Sequence, residues 1–271
     1  MRSKKRSLVL LASLFIVTVA AFAVMRGQPQ NNLSKISQQS DSKEWPVTDY
    51  TTPEAADSDN HPLRKVRNRR YDSDPNVKRD VLNKLALSDS PFILDLPLSH
   101  GPGEPALPVA QSDIIVLGRI TDSKAHLSND RTNIYSEFSV AIEEVIKDNP
   151  PISVTPGAII ATERRGGAVR FHSGKVLRLG SLGKNAPQVA KRYILFLSYS
   201  DEGQAFPIIT GYELRGGKVF PLDGLFDDKG SIPQFEAYRI YNGTDETPFL
   251  NTLRSIVDRL SQGGSKKGGR E

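Results

Sequence analysis

The chain of 271 residues contains no cysteine. Disulfides, thiolate nucleophiles, thiolate metal ligands and a lipid-modified cysteine are therefore excluded, and a folded domain must rely on apolar packing. Histidine is scarce too: His61, His100, His126 and His172 are scattered, none at zinc-site spacing, and all four read as ordinary exposed loop residues. Gly-x-Ser-x-Gly is absent, and so is the phosphate-binding Gly-x-x-x-x-Gly-Lys-Ser/Thr; "HSGKV" and "GSLGKN" read as turns. Glu143 and Glu144 are adjacent, so a strand sends them to opposite faces and they cannot act as a carboxylate pair. Asp223, Asp227 and Asp228 miss the spacing of a calcium loop. No catalytic residue, cofactor or metal is assigned, and an enzyme is the less favoured class.

One absence is local. From Arg164 to Ser200 there is no Asp or Glu, while Arg164, Arg165, Arg170, Lys175, Arg178, Lys184, Lys191 and Arg192 all fall there. The overall charge of +5 is modest, so clustering is what matters. A basic face at Arg164, Arg165, Arg170, Lys175 and Arg178 is the candidate site for a polyanion. The competing explanation is neutralisation by neighbouring strands, notably by Glu137, Glu143 and Glu144. Aromatic residues are sparse around the cluster, so nucleic acid is not the expected partner.

What the sequence does contain begins at its start. Arg2, Lys4, Lys5 and Arg6 precede an uncharged apolar run from Leu8 to Met25, closed by Arg26. Basic residues stay on the cytoplasmic side, so the downstream chain is expected outside the cytoplasm. The run just reaches the roughly 17 residues a spanning helix needs, which favours a single-pass anchor in the inner membrane. Ala21-Phe22-Ala23 offers the alternative, a signal peptide cleaved near Ala23 with a secreted or periplasmic product.

Residues 27–74 are polar, aperiodic and read as a disordered spacer. Within them Arg64, Lys65, Arg67, Arg69 and Arg70 form a basic run, read as solvated or as facing an outer anionic surface. Asp74-Pro75 opens a short helix, with loop following to residue 106.

From 107 to 222 the period is that of strands. Along Asn133–Lys147, Ile134, Phe138, Val140 and Ile142 share one face, and Tyr135, Glu137, Ser139 and Glu143 the other. Gly166-Gly167 and Gly216-Gly217 read as hairpin turns, as does His172–Lys175. About eight short strands suit a small barrel or sandwich. A loop from 223 leads to a helix capped by Thr247-Pro248, its stripe of Phe249, Leu250, Leu253, Ile256, Val257 and Leu260 docking on the β-domain. Residues 263–271 read as a flexible tail.

Val116, Gly118 and Ile120, then Tyr135, Phe138 and Val145, then Tyr193 to Leu197 make a pattern that resembles the small exported OB-fold-like barrels of bacteria. Asp148-Asn149 departs from it, standing where that family has glycine. The resemblance covers roughly 107–222 and implies a fold and an extracytoplasmic address. It carries no functional residue over. The resulting expectation is a non-enzymatic envelope binding module, with an anionic envelope polymer or a protein as the candidate partner. An envelope hydrolase with a loop-borne site and a protease-inhibitor-like barrel are its rivals.

Overall fold

Alternation over fourteen residues, Ile134–Lys147, makes one of the two longest strands, and its partner Ile114–Leu127 matches it in length. In the computed structural model, residues 45–50, 61–73, 93–96, 103, 105–149, 152–181, 183–224 and 233–264 are described. In chain order the elements are β1 (Val47–Asp49), α1 (His61–Arg70), β2 (Ile93–Leu96), β3 (Ile114–Leu127) and β4 (Ile134–Lys147). Then come β5 (Ile159–Arg165), β6 (Gly167–Arg170), β7 (Val176–Ser181), β8 (Arg192–Leu197), β9 (Phe206–Arg215) and β10 (Lys218–Pro221). A 3-10 helix (Pro233–Tyr241), β11 (Thr244–Asp245) and α2 (Glu246–Gly264) complete the chain.

The protein is mainly β. A seven-stranded sheet runs β11-β10-β9-β5-β4-β3-β8, and β9 also pairs with β8. That extra pairing turns β5-β4-β3-β8-β9 into a barrel-like ring. Its seam between β5 and β9 is parallel and short, Thr162 beside Phe206 and Glu163 beside Pro207, so closure is partial. A second sheet, β1-β6-β7-β2, has four strands. The β3–β4 hairpin serves both. Its register slips at Ile115/Val116, Leu117/Gly118 and Ile120/Asp122, and such bulges bend a long ribbon. Gly118 is required there: a Cβ would stand 2.7 Å from the Ala141 carbonyl oxygen.

Three apolar clusters follow. Ile114, Val116, Phe138, Val140, Leu195 and Leu197 belong to the first. Ile115, Leu117, Ile194 and Phe196 lie on the opposite parity of β3 and β8 and, with Tyr212 of β9, meet Tyr238 and the α2 residues Phe249, Leu250, Leu253 and Val257. The C-terminal stripe thus docks as its period requires, except that Leu260 is exposed. The third cluster joins Ala125 and Ile134 of the long hairpin to Val169, Phe171, Leu177 and Leu179 of the small sheet.

Several expectations change. The polar segment read as spacer contains β1 and α1. A helix poor in apolar residues forms there because charge, not burial of a greasy stripe, holds it. Gly166-Gly167 does not close a hairpin; Gly166, at φ 119°, turns the chain out of β5 and into the other sheet, where β6 pairs with β7. Gly216 and Gly217 do make the β9–β10 turn, both at positive φ. The loop expected after 222 includes the 3-10 helix. The apolar run 8–25, the helix expected from Asp74-Pro75 and the tail beyond 264 lie outside the described residues. Among the described residues no helix is long and apolar enough to cross a membrane.

Candidate functional site

The five basic residues singled out from the sequence separate in space. Arg164 is only 5% exposed, and strand alternation places it with Thr162 and Ile160 on the inner face of β5. Its Nη1 donates to Asp223 Oδ1 at 2.6 Å and to the Asn185 carbonyl at 2.7 Å. Its Nη2 donates to Asp223 Oδ2 at 3.0 Å. Asp223, fully buried, also accepts from the Asn185 amide at 3.1 Å, Thr210 Oγ1 at 2.9 Å and Lys184 Nζ at 3.4 Å. Burial pushes its pKa up, but Arg164 and Lys184 outweigh burial and hold the carboxyl below its ordinary range. Arg164 is therefore a structural residue and is withdrawn from the anion-binding set. Asp223, the first of the aspartates tested against a calcium loop, is consumed by the same pairing.

Arg165 is exposed at the end of β5, opposite Tyr135. Arg170, Lys175 and Arg178 belong to the small sheet's β6–β7 hairpin. Register gives two rows on the face opposite Val169, Leu177 and Leu179: Val47, the buried Ala168 and Arg178 in one, Asp49, Arg170 and Val176 in the other. The inner residues Val169, Leu177 and Leu179 fill the third apolar cluster. Outside, Val47 is 45% and Val176 is 43% exposed, flanking the two guanidinium groups. Arg170 stands 3.7 Å from Asp49, an exposed pair worth little in water. Lys175 sits half-buried at the turn. Guanidinium and ammonium groups on a partly apolar sheet suit recognition of phosphate or carboxylate oxygens.

A second constellation was not expected. On the odd-numbered face of β4, Tyr135 and Glu137 lie under α1. Arg64 reaches Glu137 through Nη1 at 2.8 Å and Nη2 at 3.2 Å, and Arg67 Nη1 reaches the same carboxylate at 2.7 Å. Arg67 also donates to the carbonyls of Gly203 at 2.7 Å and Gln204 at 3.1 Å. Arg70 Nη1 meets Glu163 of β5 at 2.5 Å. Tyr135 donates to Asn68 Oδ1 at 2.7 Å, and its ring stacks on Tyr71 at 4.3 Å. Beyond α1, Asp72 and Ser73 bind the tip of the β3–β4 hairpin through the Asp130 amide and carboxylate. Burial raises the Glu163 carboxyl despite Arg70; for Glu137, Arg64 and Arg67 overcome burial and the net shift is downward. His126, expected in a loop and exposed, lies in β3 at 5% exposure beside Tyr135. Burial, then Arg64, lower its pKa to about 3.

The sequence signal for this constellation was the spacing of Arg64, Arg67 and Arg70. Steps of three put them along one helical face, matched to the odd residues of β4 and β5. Glu143 and Glu144 engage different elements, Arg192 and Arg254 respectively, as their opposite faces require. Among the described residues no three His, Asp or Glu side chains are grouped to hold a metal ion. Neither a protein-family model nor a curated protein sequence matches the chain.

Proposed function

We propose that the protein is an exported, bilayer-anchored, non-enzymatic binding module of the cell envelope, and that the outer face of its small sheet takes an anionic partner. The carrying observation is the placement of Arg170 and Arg178 beside exposed Val47 and Val176, with Lys175 at the adjoining turn. Arg165 contributes at a separate position, the end of β5. The apolar run 8–25 after a basic start is the basis for export and anchoring. An OB-like barrel is the finer reading of the ring. Its support is the pairing pattern: the β3-β4-β5 meander, antiparallel β3–β8 and β8–β9, and the parallel β5–β9 seam.

The test is retention of full-length protein in detergent on a sulfated-polysaccharide resin. Arg170→Glu, Lys175→Glu and Arg178→Glu combined should elute at clearly lower salt than the parent. An equal charge change at Lys218, Arg254 and Arg259 is the control and should shift elution less. Equal shifts for both variants would leave only net charge and defeat the assignment of the face. Arg164 stays unchanged, because it is buried against Asp223 and does not lie on this face.

A further inference from the structure

The α1 contact is unusual for an intramolecular one because it is nearly all polar. Neither Leu63 nor Val66 of α1 enters any of the three apolar clusters. Adhesion comes from guanidinium groups: Arg64 and Arg67 on Glu137, and Arg70 on Glu163.

The receiving surface belongs to the β-domain and is built for such groups. Glu163 has a fully buried side chain and Glu137 a largely buried one. Two carbonyls, of Gly203 and Gln204, converge on Arg67. Gln204 holds its carbonyl there at φ 46°, a conformation side-chain-bearing residues seldom adopt. Gly203 leaves the space: a Cβ would collide with Arg70 Nη2 and stand 2.9 Å from Arg67 Cγ. Tyr135 supplies an aromatic floor on which Tyr71 stacks.

The fit is incomplete on both sides: Glu163 Oε2 of the receiving surface is buried with no hydrogen-bond partner among the described residues. Arg70 Nε and Nη2 are buried and find no acceptor among the described residues. A buried donor without an acceptor retains its desolvation penalty. Desolvated ion pairs also give back much of their attraction. The docked and undocked states of α1 are thus closer in free energy than the number of contacts suggests.

We propose that the surface formed by Tyr135, Glu137, Glu163 and the Gly203–Gln204 carbonyls is a receptor for arginine-bearing helices, and that α1 is its exchangeable resident. The occupant in trans is a helix of another polypeptide presenting guanidinium groups at steps of three residues, as Arg64, Arg67 and Arg70 do. This site binds cations and is separate from the anion-binding face of the small sheet.

The probe is a fluorescent peptide of residues 60–73, added to full-length protein whose Arg64, Arg67 and Arg70 are changed to Ala. Anisotropy should show saturable binding that weakens as salt rises. Adding Glu137→Gln and Glu163→Gln to that protein should weaken binding about tenfold or more. Absence of binding to a variant with parental circular dichroism would overturn the proposal. Should the alanine variant fail to fold, hydrogen exchange on the unaltered protein decides. Amides 61–70 exchanging well before those of β3 and β4 support an exchangeable helix, and exchange only together with those strands rules it out.

Discussion

His126 is buried beside Tyr135, with Arg64 and Arg67 pressing positive charge on it and Glu137 partly offsetting them. Its folded pKa near 3 lies below the 6.5 of a free imidazole, so the unfolded chain takes up the proton first as pH falls. Unfolding is then favoured by acid, and stability contributed by the neutral ring is lost progressively below the free value. From pH 7 to pH 5 this amounts to about 2 kcal/mol. Glu163, whose pKa burial raises, contributes with the opposite sign, since its protonated form is favoured in the fold. His126→Gln should therefore flatten the fall of urea-derived stability between pH 7 and pH 5, and an unchanged slope would refute this account of the residue.

Arg164 and Asp223 make the second residue-scale case. With side chains 4% and 0% exposed, each is buried only because the other is present. Asp223→Ala should cost about 3–5 kcal/mol in chemical denaturation, since it strands a buried guanidinium. Arg164→Met with Asp223→Leu should cost less than either single change if the pair is mainly desolvation and attraction in balance. The distinction between Arg164 and Arg165 was legible in principle. Alternation along β5 groups Arg164 with Thr162 and Ile160, but a tally of basic residues ignores which way each one points. Its partner, fifty-nine positions away in sequence, gave no local sign.

At the scale of elements, β4 was the most readable part, because fourteen residues of alternation leave little choice of face, whereas the second half of β3, with His126, carries no such period. That both faces are covered was not readable. The odd face of β4 carries Tyr135 and Glu137, which look solvent-facing until α1 is laid over them. The helix itself was hidden by its composition: with five Arg or Lys among ten residues it reads as a solvated run. Gly203 is where this contact is most sensitive to volume. Gly203→Ala should push Arg70 and Arg67 out of place, lower stability by about 1–3 kcal/mol, and speed hydrogen exchange across 61–70 before it affects β3. Uniform change across the domain would show that Gly203 supports the ring rather than the helix. Gly118→Ala is the contrasting variant. Its Cβ meets the Ala141 backbone, so loss of stability there should extend to the whole β3–β4 pairing.

At the scale of the molecule, strand-rich architecture and a docked C-terminal helix follow from period and turn chemistry. Partial closure of the ring depends on the β5–β9 seam of two residue pairs, which no local pattern announces. The division into two sheets turns on Gly166, where a glycine pair marks a change of sheet as readily as a hairpin. Segregation of charge is a property of the whole: the acid-free stretch 164–200 is neutralised inside at Asp223 but leaves Arg170 and Arg178 on an outer face. That face has a function in the envelope only if it lies outside the cytoplasm.

Absence of cysteine makes that directly measurable, since Val176→Cys creates a single thiol on the face itself. Full-length protein carrying it, expressed in a bacterial host, is exposed to a membrane-impermeant maleimide in intact spheroplasts and then fractionated under alkaline carbonate. Labelling without lysis, on a full-mass product retained in the membrane pellet, is the predicted result. Labelling only after lysis, with the protein in the soluble cytosolic fraction, would contradict the account.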